Sequence, residues 1–291
     1  MKFKIVLLFL ITNISFAQIK GVVKDSITGK PIPYVSVWVQ NENIGTTSEE
    51  NGEFKINSSE KSKKLIFSSL GFEKKIVKTS ECEFVRLKPS SFQLDEVDVT
   101  KHFESKIIEI GKTKNETYQA FDNGPKIDTK FFPYKASYKK TRFIKKVSLF
   151  ADNTIENASI KLHFYNVDEN GFPGDEILKK DFIVTLKKGV LKTTFDLSEF
   201  NLRMPKRGIF VGFEKLIIEK NKIEKTTTNF NNNTTRIQIS YAPSVLYNFV
   251  EREILYNFSG GKWNKQTKLD TKGLPVKTTV FEPAINLILT N

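Results

Sequence analysis

Cysteine and histidine are scarce in this chain of 291 residues, which contains one cysteine and two histidines. A single cysteine cannot form an internal disulfide, so the stability of the fold must come from packing. Cys82 lies in the stretch ECEFVRL, where we expect a strand with a buried or half-buried thiol. A catalytic thiol would need a histidine nearby, and none occurs in that stretch.

The two histidines lack the spacing of a zinc motif. Neither His102 nor His163 has a histidine or glutamate three or four residues away, as helical zinc motifs require. We therefore expect no metal and no cofactor, and we expect His163 to be a strand residue that faces solvent.

Other catalytic signatures are also missing from the sequence. There is no Gly-x-Ser-x-Gly elbow, no Gly-rich phosphate loop and no local motif that pairs two carboxylates. These absences indicate that the chain is not an enzyme. A hydrolase whose carboxylates are distant in sequence remains the alternative.

Long apolar runs are absent after the first 17 residues. The start, MKFKIVLLFLITNISFAQ, has a positive end, an apolar run over Ile5–Ile11 and small residues before a cleavage point between Ala17 and Gln18. This pattern predicts a secretory signal peptide over 1–17. A spanning helix needs roughly 20 apolar residues, so a membrane anchor is the weaker alternative. We expect an exported protein of the periplasm, outer membrane or cell surface, with no membrane-spanning segment after cleavage.

The formal net charge is +13, and most of the excess falls after Lys101. A basic surface can attract nucleic acid or acidic glycans. The stretch from Tyr134 to Lys146 interleaves aromatic and basic residues, as single-strand binders do. Because export argues against nucleic acid, we expect no nucleic-acid partner and interpret the lysines as a solvated surface.

The segment 19–100 shows short strands between turn signals. In YVSVWVQ the residues Val35, Val37 and Val39 alternate with Ser36 and Trp38, so the valines should face a core and Trp38 the other side of the sheet. Strands spaced by 8–12 residues are typical of an all-β sandwich.

Three stretches of this segment form a pattern specific enough to indicate a family: GVVKDSITGKPIPYVSVWV, GTTSEENGEF and LIFSSLGFEKK. Together they resemble the carboxypeptidase-regulatory-like domain of exported Bacteroidetes proteins. The resemblance implies a prealbumin/Ig-like sandwich of seven strands over 18–90, without an active site of its own. One departure is Glu49, where the family usually has aspartate in a turn.

The stretch FQLDEVDVT contains Leu94, Asp95, Glu96 and Val97. It is similar to a segment that follows the same domain in Bacteroidetes outer-membrane receptors, where it is associated with TonB. By this resemblance it could pair with a partner's strand, although nothing after Lys101 resembles such a receptor. The alternative is a strand or linker over 91–110.

Residues 111–291 continue as candidate strands, for which we expect a larger β-sandwich. The stretches LHFYNVDENGFPGDEIL and FDLSEFNLRMPKRGIFVGFE resemble jelly-roll modules of extracellular bacterial proteins. By this resemblance the sandwich should be jelly-roll-like, with GIFVGFE as a central strand. The Asn/Thr-rich segment 219–235 should be a long mobile loop. No strong amphipathic helix is indicated.

Two local patterns could bind ligands. DENGFPGDE offers Asp168, Asn170 and Asp175 as weak calcium candidates, but the order of ligands is not that of an EF-hand, so a hairpin turn is the simpler interpretation. Trp263, with Tyr256 nearby, could stack on a sugar. Alternatively, Trp263 covers the edge of the sandwich.

These observations favour an exported, non-catalytic binding module of the bacterial cell envelope, whose partner is an envelope protein or a glycan. The alternatives are a hydrolase with an unrecognised site in the C-terminal part, and an accessory to TonB-dependent uptake that acts through the strand at 94–100.

Overall fold

The structure is a computed structural model that describes residues 18–57, 63–90, 105–112, 118–120, 124–229 and 234–291. In this part of the chain the regular elements are β-strands and short 3₁₀ turns, with no α-helix, which confirms the all-β prediction. No helix within these ranges is long and apolar enough to cross a bilayer. Ala17 and the segment from Leu94 to Val97 lie outside the described residues.

The first seven strands form two facing sheets. The strands are β1 Gln18–Asp25, β2 Ser36–Val39, β3 Gly45–Thr47, β4 Glu53–Asn57, β5 Lys64–Ser68, β6 Lys75–Lys78 and β7 Phe84–Leu87, with a 3₁₀ turn at Thr79–Glu81. One sheet has the order β4-β1-β7 and the other β3-β2-β5-β6. Strand β7 runs parallel to β1.

Between these sheets lies an apolar core that contains Val35, Val37 and Val39 together with Phe54 and Phe67. The predicted alternation along β2 is therefore confirmed. Trp38 faces the opposite side of its sheet, as expected, yet it is only 2% exposed. Both faces of β2 are buried, so another part of the chain must cover its outer face.

Gly21 lies where β1 passes the rings and backbone of this core. A Cβ added there would overlap the carbonyl oxygen of Cys82 and lie 2.8 Å from Phe54 Cε1. We expect Gly21→Ala to lower the free energy of unfolding by about 1–3 kcal/mol, because overpacking forces neighbouring groups to move. Urea denaturation measures the change, and Lys20→Ala, at an exposed neighbour, is the control. Equal stability of the two variants would contradict the expectation.

The remaining strands build a second, larger sandwich and a hairpin. They are β8 Ile107–Ile110, β9 Tyr118–Ala120, β10 Ile127–Phe132, β11 Phe143–Asn153, β12 Ala158–Val167, β13 Pro173–Glu176, β14 Phe182–Leu186, β15 Gly189–Asp196, β16 Ile209–Lys215, β17 Lys222–Asn229, β18 Thr234–Tyr241, β19 Ser244–Arg252, β20 Ile254–Ser259, β21 Lys262–Leu269, β22 Pro275–Val276, β23 Thr278–Pro283 and β24 Ile285–Thr290. Turns of 3₁₀ helix lie at Ala136–Lys140, Ser198–Phe200 and Glu219–Asn221.

The second sandwich has one sheet in the order β13-β12-β16-β10-β20-β21-β22, with β14 also on β12. The other has the order β23-β19-β11-β24-β8, with β15 on β11 and β9 on β19. The core between them includes Leu149 of β11, Leu162 and Phe164 of β12, and Leu287 of β24. The GIFVGFE stretch forms β16, a central strand as predicted. Part of the segment 91–110 is strand β8 on this sandwich, and the jelly-roll likeness stays a prediction.

The expectation of a mobile loop at 219–235 is wrong. Strands β17 and β18 pair antiparallel from Lys222↔Tyr241 to Asn229↔Thr234, while residues 230–233 lie outside the described ranges. Threonine and isoleucine make up half of each strand, and β-branched residues favour extended pairing. The polar composition reflects an exposed ribbon rather than a lack of structure.

The second sandwich covers the outer face of the β3-β2-β5-β6 sheet. The Trp38 ring meets Phe258 edge-on with centroids 5.8 Å apart, and the backbone N–H of Asn41 donates to the Gly260 carbonyl at 2.9 Å. Ser36 also reaches across to this sandwich, as described below. The two sandwiches thus enclose a cleft.

Candidate functional site

The cleft between the two sandwiches has a volume of about 260 Å³. Its lining combines buried charged groups with aromatic rings. The residues are Ser36, Trp38, Ser68, Ser69, Leu70, Gly71, Phe72, Lys74, Ile127, Lys161, His163, Tyr165, Glu176, Asp181, Glu214, Phe258 and Trp263.

Strand β12 supplies the charged floor of the cleft. Its even-numbered residues Leu162 and Phe164 enter the core of the second sandwich. Because side chains alternate along a strand, Lys161, His163 and Tyr165 point the other way and line the cleft. The strand therefore carries an apolar face and a polar face, and both are buried.

His163 lies between two carboxylates. Its Nδ1 is 3.1 Å from Glu176 Oε2, and its Nε2 is 3.2 Å from Glu214 Oε2. The ring stacks on Tyr165 with an interplanar angle of 8°. Burial alone would lower the pKa of His163, but Glu176 and Glu214 outweigh it and raise the pKa to about 9. The ring is an imidazolium at neutral pH.

This arrangement corrects the expectation that His163 faces solvent, since the residue is 9% exposed. The β12 face that looks wet in the sequence is covered by the first sandwich. The Glu176 carboxylate is fixed further by the Phe164 backbone amide, which donates to its Oε1 at 2.7 Å.

Lys161 joins the sandwiches directly. Its Nζ donates to the carbonyl of Tyr34 at 2.8 Å and to Asp181 Oδ2 at 3.2 Å. Ser69 donates to the same Asp181 oxygen at 3.2 Å. Burial would lower the pKa of Lys161, but Asp181 and Glu214 raise it. The lysine is a buried cation between two sheets.

Glu214 completes the network. Ser36 Oγ donates to its Oε2 at 2.9 Å, the oxygen that also meets His163. Burial would raise the pKa of Glu214, but hydrogen bonding to His163 and the charge of Lys161 lower it. The carboxylate stays ionised, and the network ties both sandwiches together.

The mouth of the cleft is aromatic. The Trp263 ring is half-buried and meets Phe258 and Tyr165 edge-on, with centroid distances of 5.2 and 5.0 Å. Lys74 Nζ lies 5.9 Å from the centroid of Phe258. Gly260 and Gly261 have positive φ values of 60° and 86° and turn the chain so that Trp263 reaches this position.

Residues 19–99 match the CarboxypepD_reg-like domain. The match confirms the resemblance of the segment 19–100 to the carboxypeptidase-regulatory-like domain. No family model matches the rest of the chain. No curated protein matches the chain. Among solved structures, the chain is similar to one of the infectious bursal disease virus Gx strain with 10% identity and a TM-score of 0.22. That similarity covers 88% of this chain but only 62% of the viral chain, and it supports no conclusion about fold or function.

The cleft thus lies between the CarboxypepD_reg-like domain and the second sandwich, and the domain contributes Ser36, Trp38 and Ser69. In the same domain Cys82 is 2% exposed. Its thiol donates to the Thr79 carbonyl at 3.0 Å, and burial raises its pKa. These contacts describe a packed thiol, as the sequence indicated. The expected strand position is wrong, because Cys82 directly follows the 3₁₀ turn Thr79–Glu81 and precedes β7.

Tyr256 does not offer an open ring to a sugar. It is 6% exposed and packs between Phe172 at 4.8 Å and Phe210 at 5.4 Å. Trp263 is the sequence-predicted aromatic residue that lines the cleft.

The weak calcium candidates form a turn. Asp168 Oδ1 accepts hydrogen bonds from the backbone amides of Asn170 at 2.9 Å and Phe172 at 2.8 Å, within the hairpin between β12 and β13. The carboxylate therefore closes the turn. Within the described ranges no group of three acidic, histidine or cysteine side chains could hold a metal ion.

No motif or spacing in the sequence singles out Lys161, Asp181 or Glu214. Each lies in an ordinary strand or loop pattern, and the CarboxypepD_reg-like domain that buries them is far away along the chain. The one local signal is that β12 carries a lysine and a histidine on one face, while Ile160, Leu162 and Phe164 lie on the other.

Proposed function

We propose that the chain is an exported, non-catalytic binding module of the bacterial cell envelope, and that it binds a glycan at the cleft beside the CarboxypepD_reg-like domain. The observation that carries the proposal is Trp263, whose half-buried ring stands at the mouth of a polar cleft. The secretory pattern before Gln18 supports export.

The chemistry of the cleft suits a sugar. Ligand sites combine apolar rings with a few placed polar groups. The rings of Trp263 and Phe258 provide apolar surface for the C–H face of a sugar, and Lys74 adds a donor at the same edge. The paired charges beneath them hold this surface rigid, which reduces the entropy lost on binding.

The buried acids support binding rather than hydrolysis. Glycosidases need a carboxylic acid whose pKa is raised so that it can donate a proton. The pKa of Glu214 is lowered instead, and both Glu176 and Glu214 accept from the same imidazolium. A role in TonB-dependent uptake depends on residues 94–100 and stays a prediction.

We expect Trp263→Ala to weaken glycan binding at least tenfold, because the stacking surface is lost. A glycan array with the full chain identifies a ligand, and isothermal titration then compares variants. Lys265→Ala, at an exposed position on the same strand, is the matched control and should bind like the wild type. Failure of the wild type to bind any envelope glycan would contradict the proposal, as would unchanged affinity of Trp263→Ala.

A further inference from the structure

A second cavity of about 310 Å³ lies in the second sandwich. It uses the other face of the ladder between β10 and β20. Ile127 pairs with Phe258, and Asp128 pairs with Asn257. The first pair lines the cleft and the second pair lines this cavity, so the ladder separates the two spaces, which share no lining residue.

Asp128 is the unusual group in this cavity, because it is a carboxylate with 8% exposure beside an apolar core. Its Oδ2 accepts a hydrogen bond from the Tyr247 hydroxyl at 2.5 Å and lies 3.0 Å from Lys126 Nζ. Within the described residues no donor reaches its other oxygen, Oδ1. Oδ1 keeps some solvent-accessible surface, so it remains open to the cavity.

A buried carboxylate is costly unless its oxygens find partners. Here one oxygen is held in a fixed direction by Tyr247 and Lys126, while the other remains available as an acceptor. Such an arrangement suits a ligand that brings a hydrogen-bond donor.

The rest of the lining adds two amides and an apolar wall. The amides of Asn257 and Gln266 can each donate and accept. The apolar wall includes Phe281, which is 37% exposed and whose ring centroid lies 4.9 Å from that of Phe249. The remaining lining residues are Thr129, Leu255, Tyr256, Val280 and Pro283.

We propose that this cavity is a second binding site and that it takes one neutral, hydroxyl-rich ring, a single monosaccharide unit. Neighbouring hydroxyls of such a ring would donate to Asp128 Oδ1 and exchange hydrogen bonds with Asn257 and Gln266. Its C–H face would lie on Phe281. Lys126 balances the charge of Asp128, so the site favours a neutral ligand over an anion or a cation. This proposal does not depend on glycan binding in the cleft.

The test uses the full chain and four probes, the methyl glycosides of glucose, galactose, mannose and N-acetylglucosamine. Saturation-transfer NMR detects binding and a titration gives the affinity. We expect at least one glycoside to bind, and Gln266→Ala and Asn257→Ala each to weaken it several-fold. Trp263→Ala, which changes only the cleft, should leave this affinity unchanged.

Asp128→Asn should weaken binding of the same glycoside, and the midpoint of its thermal unfolding shows whether the variant folds. If it does not fold, Gln266→Ala decides the question, because the Gln266 side chain is exposed and contributes little to folding. Three outcomes would overturn the proposal: no binding of any of the four glycosides, unchanged affinity in Gln266→Ala and Asn257→Ala, or loss of binding in Trp263→Ala alone.

Discussion

Lys161→Met is expected to lower the free energy of unfolding by about 3–5 kcal/mol, the usual cost of removing one partner of a buried ion pair. The Lys161 side chain is 1% exposed and lies 3.2 Å from Asp181. Methionine fills a similar volume but leaves Asp181 without its cation. It also leaves the Tyr34 carbonyl without its donor. Urea denaturation followed by tryptophan fluorescence measures the loss.

Lys180→Met is the matched control, since Lys180 also forms an ion pair with a carboxylate. Its Nζ lies 2.8 Å from Glu199, but the two side chains are 66% and 59% exposed. Exposed pairs contribute less than about 1 kcal/mol, so this variant should remain close to the wild type. Similar losses of unfolding free energy in both variants would show that burial between the sandwiches does not increase the contribution of Lys161 to stability.

His163→Gln is expected to change how stability depends on pH. The folded pKa of His163 is raised from 6.5 to about 9, so its protonation stabilises the fold. That contribution is complete below the unfolded pKa and is lost as pH rises through the folded pKa. Since one pKa unit corresponds to about 1.4 kcal/mol, the wild type should lose about 3 kcal/mol over this window through His163.

The glutamine variant cannot take up this proton, so its stability should stay nearly constant across the same window. Urea unfolding of both proteins at several pH values between about 6 and 9.5 gives the difference. The gap between them should be largest at the acidic end and close with rising pH. A constant gap would mean that the pKa of His163 is the same in the folded and the unfolded protein.

The first sandwich could be predicted from local pattern. Val35, Val37 and Val39 enter its core as their alternation indicates, because the period of a strand assigns alternate residues to one face. The turn glycines and the three matching stretches also indicate the family of this domain. These signals are all contained within about 80 consecutive residues.

The cleft could not be predicted in the same way. A polar face on a strand normally indicates solvent, so nothing local to β12 argues against the expectation that His163 is exposed. Its partners lie 13 and 51 positions away, and Ser36 is 178 positions from Glu214. Only the docking of the two sandwiches brings these groups together, and no single stretch encodes that docking.

The β17–β18 ribbon shows the opposite difficulty. A polar, Thr-rich stretch suggested a loop, yet each strand finds its partner just across a short connection. The polar composition correctly indicates that this segment is exposed, but it wrongly indicates an irregular backbone.

The ladder of β10 and β20 has a consequence for how the molecule can change. Consecutive residues, Ile127 and Asp128, serve different compartments on either side of one layer of backbone. Inserting or deleting a single residue in β10 directly after Asp128, with the rest of the strand held in register by β16, would exchange the two linings at once, turning an acid toward the aromatic mouth and an isoleucine toward the amides. Point substitutions can tune each compartment separately, whereas length changes in this strand alter both together.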